Sequence, residues 1–527
     1  MRIERCRSAG DLAGSALASF RQLAGARGLA RASVLIPVFA SAFITVACGA
    51  GPPVAHKKGG ALSAAAEVRS LRDFGAVGDG RTDDTAAVQR ALSNSAQYCL
   101  EGRGRSYRIV GTLRVQGDLC LRNATLVQSL VPFDTRPYIR HSCPITLDAS
   151  AVVDCGDPAI PPEQLSRLRQ SLSVRTLLIR PDKPSKRIRV TLDHLKVDRG
   201  HYPEGGSRSD SAGIWLEGAD RADLRNVEVT GMGKGYGLIV LRSSNVTVDN
   251  LWVHDLVWSP YAGDTPLTRK RISAIGWNSV PIHEFREAGE GGVRAAKFYG
   301  VRVQEQVTCA VFAEVQNVLI RNPKVSRCLA RFQDGDLPWQ ADGLDIGASS
   351  SRVRVDGAVI ESTWEGMDIV AGGAGISGLN LTNLRVSDSF GFGLKFGYVL
   401  RDVHIANVVI HNSGIAGIVL YGPVSGVSIS NAQLSGVGAI SVDGKTFVPW
   451  PQQTRSGILI TDGPTIGGAA EATPNDVLLE NIVIGKSAGV PSYDYGIFNK
   501  GGKDVRVRGS RAIGFGKAAA RGISTPQ

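Results

Sequence analysis

Two short segments of the chain repeat one arrangement of acids. Asp342-Gly-Leu-Asp345 is followed by Glu365-Gly-Met-Asp368, and Phe392-Gly-Leu-Lys395 then places a cation where the second acid stood. Carboxyl groups set in pairs serve three kinds of chemistry. One protonated acid and one carboxylate can cleave a glycosidic bond, with about 6.5–9.5 Å between them when a water must fit in the gap. Carboxylates can instead hold a cation, for which calcium is the candidate. With a uronate clamped on such a cation, Lys395 would take the proton beside the carboxyl group, provided its pKa is depressed.

The segments that carry these acids belong to a longer series. The pattern x-Gly-apolar-x-apolar returns at Ala212, Tyr236, Ala416, Ser456 and Tyr495, and the second x holds Trp215, Ile239, Val419, Leu459 and Phe498 there. Apolar residues on either side of x face inward, so x faces out. A second frame, apolar-x-apolar-x-Asn/Gly-apolar-x-apolar, alternates with it. Its fifth position is His194, Asn226, Asn250, Gly300, Asn322, Gly357, Asn383, Asn407, Asn431, Asn481 and Gly509. Asn and Gly tolerate left-handed backbone better than other residues, and the flanks alternate with the period of a strand. Steps as short as 22 or 24 residues suit one coil of three short strands. This predicts a β-solenoid with coils about 4.8 Å apart and the Asn column stacked as an amide ladder. Stacking would set Asp342 against Glu365 and Asp345 against Asp368. Such like-charge pairs destabilise a sheet unless something offsets them.

In front of the repeats, Asp73-Phe-Gly-Ala-Val-Gly-Asp-Gly-Arg-Thr-Asp-Asp-Thr-Ala-Ala-Val-Gln-Arg-Ala-Leu92 resembles the entry segment of the pectate-lyase-like superfamily. That group includes rhamnogalacturonases, mannuronan epimerases and phage tailspikes. The resemblance implies an all-β, right-handed parallel β-helix with a short N-terminal capping helix. In the segment itself Asp83, Asp84 and Thr85 read as the helix cap. Polygalacturonase-type members carry Asn-Thr-Asp, Asp-Asp and Gly-His-Gly on successive coils. Here Ala341-Asp342-Gly343 keeps the first acid, Glu365-Gly366 keeps one of the second pair, and Phe392 stands where the His would be. The Asp-Pro-His of alginate epimerases is missing.

Breaks in the repeat supply aromatic residues that could stack on sugar rings. Residues 254–299 form a long insertion with His254, Trp258, Trp277 and His283, while Trp339 and Trp364 flank the acids. Shorter breaks cover residues 436–456 and 463–475. Asp345 joins Trp339, Trp364, Trp258, Trp277 and His283 as a candidate substrate contact, and Asp342, Glu365, Asp368 and Lys395 form the catalytic set.

Residues 1–48 read as a leader, with the uncharged run Ser33–Ala47 ahead of Cys48, a candidate lipid-anchor site. A linker at 49–69 precedes a single domain over 70–520. Export suits the remaining cysteines, whose order suggests the pairs 99–120, 143–155 and 309–328. The chain carries 60 Lys+Arg against 48 Asp+Glu over 527 residues, but no dense basic block, so nucleic acid is not an expected partner. A polysaccharide is, and the basic balance would suit an anionic one. Glycoside hydrolysis is the favoured reaction. Eliminative cleavage or epimerisation of a uronate polymer, and a non-catalytic glycan-binding or envelope scaffold, are the alternatives.

Overall fold

In the computed structural model the described residues are 67–129, 175–200, 211–231, 235–258, 307–330, 341–347, 349–438, 440–442, 445–447, 454–462, 473–487 and 493–523. Residues 66–527 form one compact unit. Twenty-eight strands are joined in one hydrogen-bonded system, and every pairing in it is parallel. Parallel strands stacked coil on coil make this a parallel β-helix, the architecture of the pectate-lyase-like group. Two strands, Ile440–Val442 and Lys445–Phe447, stand apart as an antiparallel ribbon inside the break expected at 436–456.

The coil from Phe392 to Ser413 shows how sequence becomes structure. Leu394, Phe396, Leu400, Val403, Ile405, Val408 and Ile410 point into the core and are at most 1% exposed. Each sits in register on its counterpart in the next coil, as Val403 does on Val427 and Ile405 on Ile429. Full burial of one such side chain is worth about 1.5–3 kcal/mol. The bend between two of its strands falls at Asn407, with φ 57°, and the same left-handed bend recurs at Asn226, Asn250, Asn322, Asn383, Asn431 and Asn481.

The amides form the expected ladder. Asn250 donates to Asn226 (3.1 Å), Asn407 to Asn383 (3.2 Å), and Asn431 to Asn407 (3.3 Å). Gly357 and Gly509 interrupt it for a steric reason. A Cβ at either would lie 2.6 or 2.5 Å from the amide oxygen of Asn322 or Asn481.

A second column decides which way the site residues face. At Gly213, Gly237, Gly343, Gly366, Gly393, Gly417 and Gly457 an added Cβ would lie 2.4–2.9 Å from the carbonyl oxygen of the equivalent residue one coil on. The missing side chain lets the strand bend there. The residue before the glycine and the outward x residue consequently share one face, and Ala212, Ile239 and Val311 pack together outside the main core. Cys309 occupies the glycine position of its own coil, and its side chain is tied to Cys328 in a disulfide. Cys99 and Cys120 form another. Cys143 and Cys155 lie outside the described residues, as does the leader.

The helix expected near the front runs Thr85–Ser93 and buries Ala87, Val88, Ala91 and Leu92. Its cap differs from expectation. Asp84 stands at the N-cap position, yet its carboxylate accepts from the backbone N–H groups of Val77 and Gly78. Asp83 takes over, accepting from the backbone and hydroxyl of Thr85, and these bonds hold its carboxyl below the usual range. The coil also continues past the expected break at 254. His254 ends a strand, and Val257–Trp258 pairs with Leu329–Ala330. Among the described residues no helix is long and apolar enough to cross a membrane.

The glycine column yields a direct test. Gly417→Ala drives a Cβ to 2.3 Å from Leu434 and should cost about 1–3 kcal/mol, whereas Gly117→Ala meets nothing within 4 Å. Denaturant melts of the two variants should separate them, with Gly117→Ala at or slightly above wild type.

Candidate active site

Three strands carry the acids and their cation: Ala341–Ile346, the start of Glu365–Ser389, and the start of Phe392–Ser413. Their register pairs Asp342 with Glu365, Asp345 with Asp368, and Asp368 with Lys395. The glycine bend turns both columns outward, and one oxygen each from Asp342, Glu365 and Asp368 lies within 4.8 Å of the others. That is tighter than the diagonal reach of about 6.5–9.5 Å expected for a water-spanning pair.

Lys395 is the offset that such crowding requires. Its Nζ donates to Glu365 Oε2 at 2.8 Å and to Asp368 Oδ2 at 3.2 Å. Side-chain exposure is 5% for Lys395, 6% for Glu365 and 16% for Asp368. Arg354 instead pairs with Asp356 on its own strand, Ser351–Asp356. Two carboxylate oxygens in the cluster, Asp342 Oδ1 and Asp368 Oδ1, are buried without a hydrogen-bond partner. A buried acceptor left unpaired is costly, so these atoms mark where substrate or water would complete the site.

The protonation pattern follows. Burial pushes the Asp342 carboxyl well above its ordinary range, and Asp368 and Asp345 push the same way against a partial pull from Lys395. Burial likewise raises Glu365, with Lys395 drawing it back while Asp368 and Asp342 add to the rise. Asp345 is raised by burial and by Asp368. Burial alone would lower the pKa of Lys395, but Asp368 and Glu365 outweigh it and hold the ammonium charged well above the ordinary range. Elimination with Lys395 as base needs the opposite shift. Lys395 is a fixed cation.

A calcium ion fits these residues poorly. Calcium takes six to eight oxygens, whereas the cluster offers three carboxyl groups, two of which already hold an ammonium.

The structure sorts the aromatic candidates differently. Trp364 is half-buried and packs on the core, its indole against the backbone of Gly391. Trp258 lies in a strand two coils before that of Asp342. Trp339, Trp277 and His283 lie outside the described residues. His254 is held in a network with Asp255 at 2.7 Å and Glu228 at 3.3 Å, and it stacks on Trp252.

Two neighbours went unnoticed in the sequence. Tyr421 lays its ring over Gly397, so close that a Cβ there would be 2.1 Å from Tyr421 Cζ, and its charge state is felt by Lys395. A glycine in an outward position one coil before a tyrosine was the available signal. Thr308 lies opposite Asp342 in register, fully buried, with its hydroxyl unpaired. A hollow of about 260 Å³ near Glu101, Arg103 and His194 lies on other strands and includes none of these residues.

No family model and no curated protein matches the sequence. Among solved structures, the chain is similar to a family 28 exopolygalacturonase of Yersinia enterocolitica, at 14% identity and TM-score 0.47, covering 88% of this chain and 79% of that one. It is also similar to PfbA, a surface adhesin of Streptococcus pneumoniae, at 13% identity and TM-score 0.44, covering 84% and 92%. The Dettilon tailspike protein follows at 11% identity and TM-score 0.44, covering 86% and 68%.

Two stability measurements test this electrostatic account. Lys395→Met strands buried carboxylates and should cost about 3–5 kcal/mol at pH 7. The loss should shrink toward pH 4 as the carboxyls take up protons; an equal loss at both pH values would reduce Lys395 to packing. Asp342 should behave oppositely. Unfolded, it gives up its proton near 3.8, while in the fold it keeps the proton to higher pH. Its contribution therefore falls as pH rises above about 4. Asp342→Asn should melt above wild type at pH 7 and converge with it below pH 4.

Proposed function

We propose that the protein is an exported glycoside hydrolase that cleaves a polysaccharide on the outer face of its coils. Asp342 is the general acid. It is 4% exposed, its carboxyl favours the protonated form, and its Oδ1 is buried with no partner. Asp368 is the partner carboxyl. Lys395 holds its Oδ2, leaving Oδ1 to activate water or to attack the anomeric carbon. Glu365 is bound to Lys395, and this buried ion pair keeps the ammonium beside Asp368. The observation that carries the proposal is this separation of roles. One carboxyl is buried and favours its proton; a second, with an oxygen within 4.8 Å of it, accepts a hydrogen bond from the ammonium.

The reaction balances without a metal. Asp342 gives its proton to the leaving glycosidic oxygen, and water supplies the new hydroxyl on the sugar, its proton going to Asp368 in a single displacement or back to Asp342 after Asp368 has attacked. Export accords with the disulfides Cys99–Cys120 and Cys309–Cys328, which persist in oxidising compartments.

The test is a polysaccharide panel read for new reducing ends and for absorbance of unsaturated uronates. Reducing ends should appear without that absorbance, and a chelator should leave the rate unchanged. Asp342→Asn and Asp368→Asn should each lower the rate about 10²–10⁴-fold. Wild type that binds a glycan without altering it, equally with both variants, would make this a binding protein. The anomeric form of the first product, read by NMR, tells whether Asp368 attacks directly (retention) or through water (inversion).

A further inference from the structure

Each coil presents three outward positions on this face: the residue before the glycine, the x residue, and the one two further on. Over the five coils centred on the acids these are Thr308, Val311 and Ala313; Asp342, Asp345 and Gly347; Glu365, Asp368 and Val370; Phe392, Lys395 and Gly397; and Ala416, Val419 and Tyr421. Four acids and one base are the only charged groups in that field. The base is already bound to Glu365 and Asp368. Following the same columns outward, the next cations are Arg175, opposite Ala212, and Lys500, two residues past Phe498. Each lies four coils from the nearest acid, roughly 19 Å at one strand spacing per coil. That exceeds the screening length of about 8–10 Å at physiological salt.

An anionic sugar placed here would meet carboxyl groups and no unengaged cation of these columns. Like-charge contact rejects a wrong partner more sharply than any missing attraction. We infer that the sugar unit seated over the acids carries no carboxylate or sulfate: the site takes an uncharged glycan, despite the basic balance of the whole chain. This rests on the hydrolase reading and narrows it. The overall charge of +12 belongs to surfaces elsewhere and does not describe this face.

Matched polymers test the inference with the full chain: several uronans, each beside the same polymer after chemical reduction of its carboxyl groups. The reduced member should release reducing ends about a hundredfold faster than its parent. A parent cleaved as fast or faster overturns the inference while leaving the hydrolase reading intact. If no polymer is cleaved, the hydrolase reading fails, and affinity electrophoresis on the same pairs decides the charge preference. Stronger retardation by the reduced member supports it; equal, absent or reversed retardation overturns it.

Discussion

The glycine column is the constraint on which the remainder depends. Strand residues ordinarily alternate between faces, so Asp342 and Asp345, three apart, would point opposite ways. Because a Cβ at Gly343 would strike the carbonyl of Gly366, and one at Gly366 the carbonyl of Gly393, the backbone bends where it can carry no side chain. Both acids of each coil then emerge on one side. A steric rule about coil stacking thus becomes an electrostatic fact about the surface.

That fact carries a cost that only burial of a cation can moderate. Four carboxyl groups within two coils cannot all ionise, and a single lysine cannot neutralise them. The system settles unevenly, with burial favouring the proton on Asp342 while Nζ of Lys395 binds Glu365 and Asp368. An uneven settlement of this kind is what acid–base chemistry requires. The two carboxyl groups that bind Nζ outweigh its burial and leave Lys395 unsuited to act as a base.

Much of the architecture was legible because it repeats. Asn407, Asn431 and their counterparts announce the left-handed bend, and their spacing gives the coil length and the amide ladder. The stacking of Asp342 on Glu365 and of Asp345 on Asp368 followed from counting within that frame. What could not be counted was side-chain conformation. Nothing in the letters shows that Asp84 turns away from its helix, that Trp364 folds onto the core, or that Tyr421 leans over Gly397. The sign of the Lys395 shift was equally hidden, since it depends on two distances, 2.8 and 3.2 Å, that arise only on folding.

The register of the columns has one more implication. Equivalent residues in successive coils occupy the same lateral place, differing only in height along the solenoid axis. The protein is in effect a ruler, marked at each turn by two interchangeable letters on either side of an immovable one. Rewriting Thr308 and Val311, or Ala416 and Val419, would lengthen the reactive track by one graduation without disturbing the scaffold, so new chemistry on such a stack can be gained by increments rather than by invention.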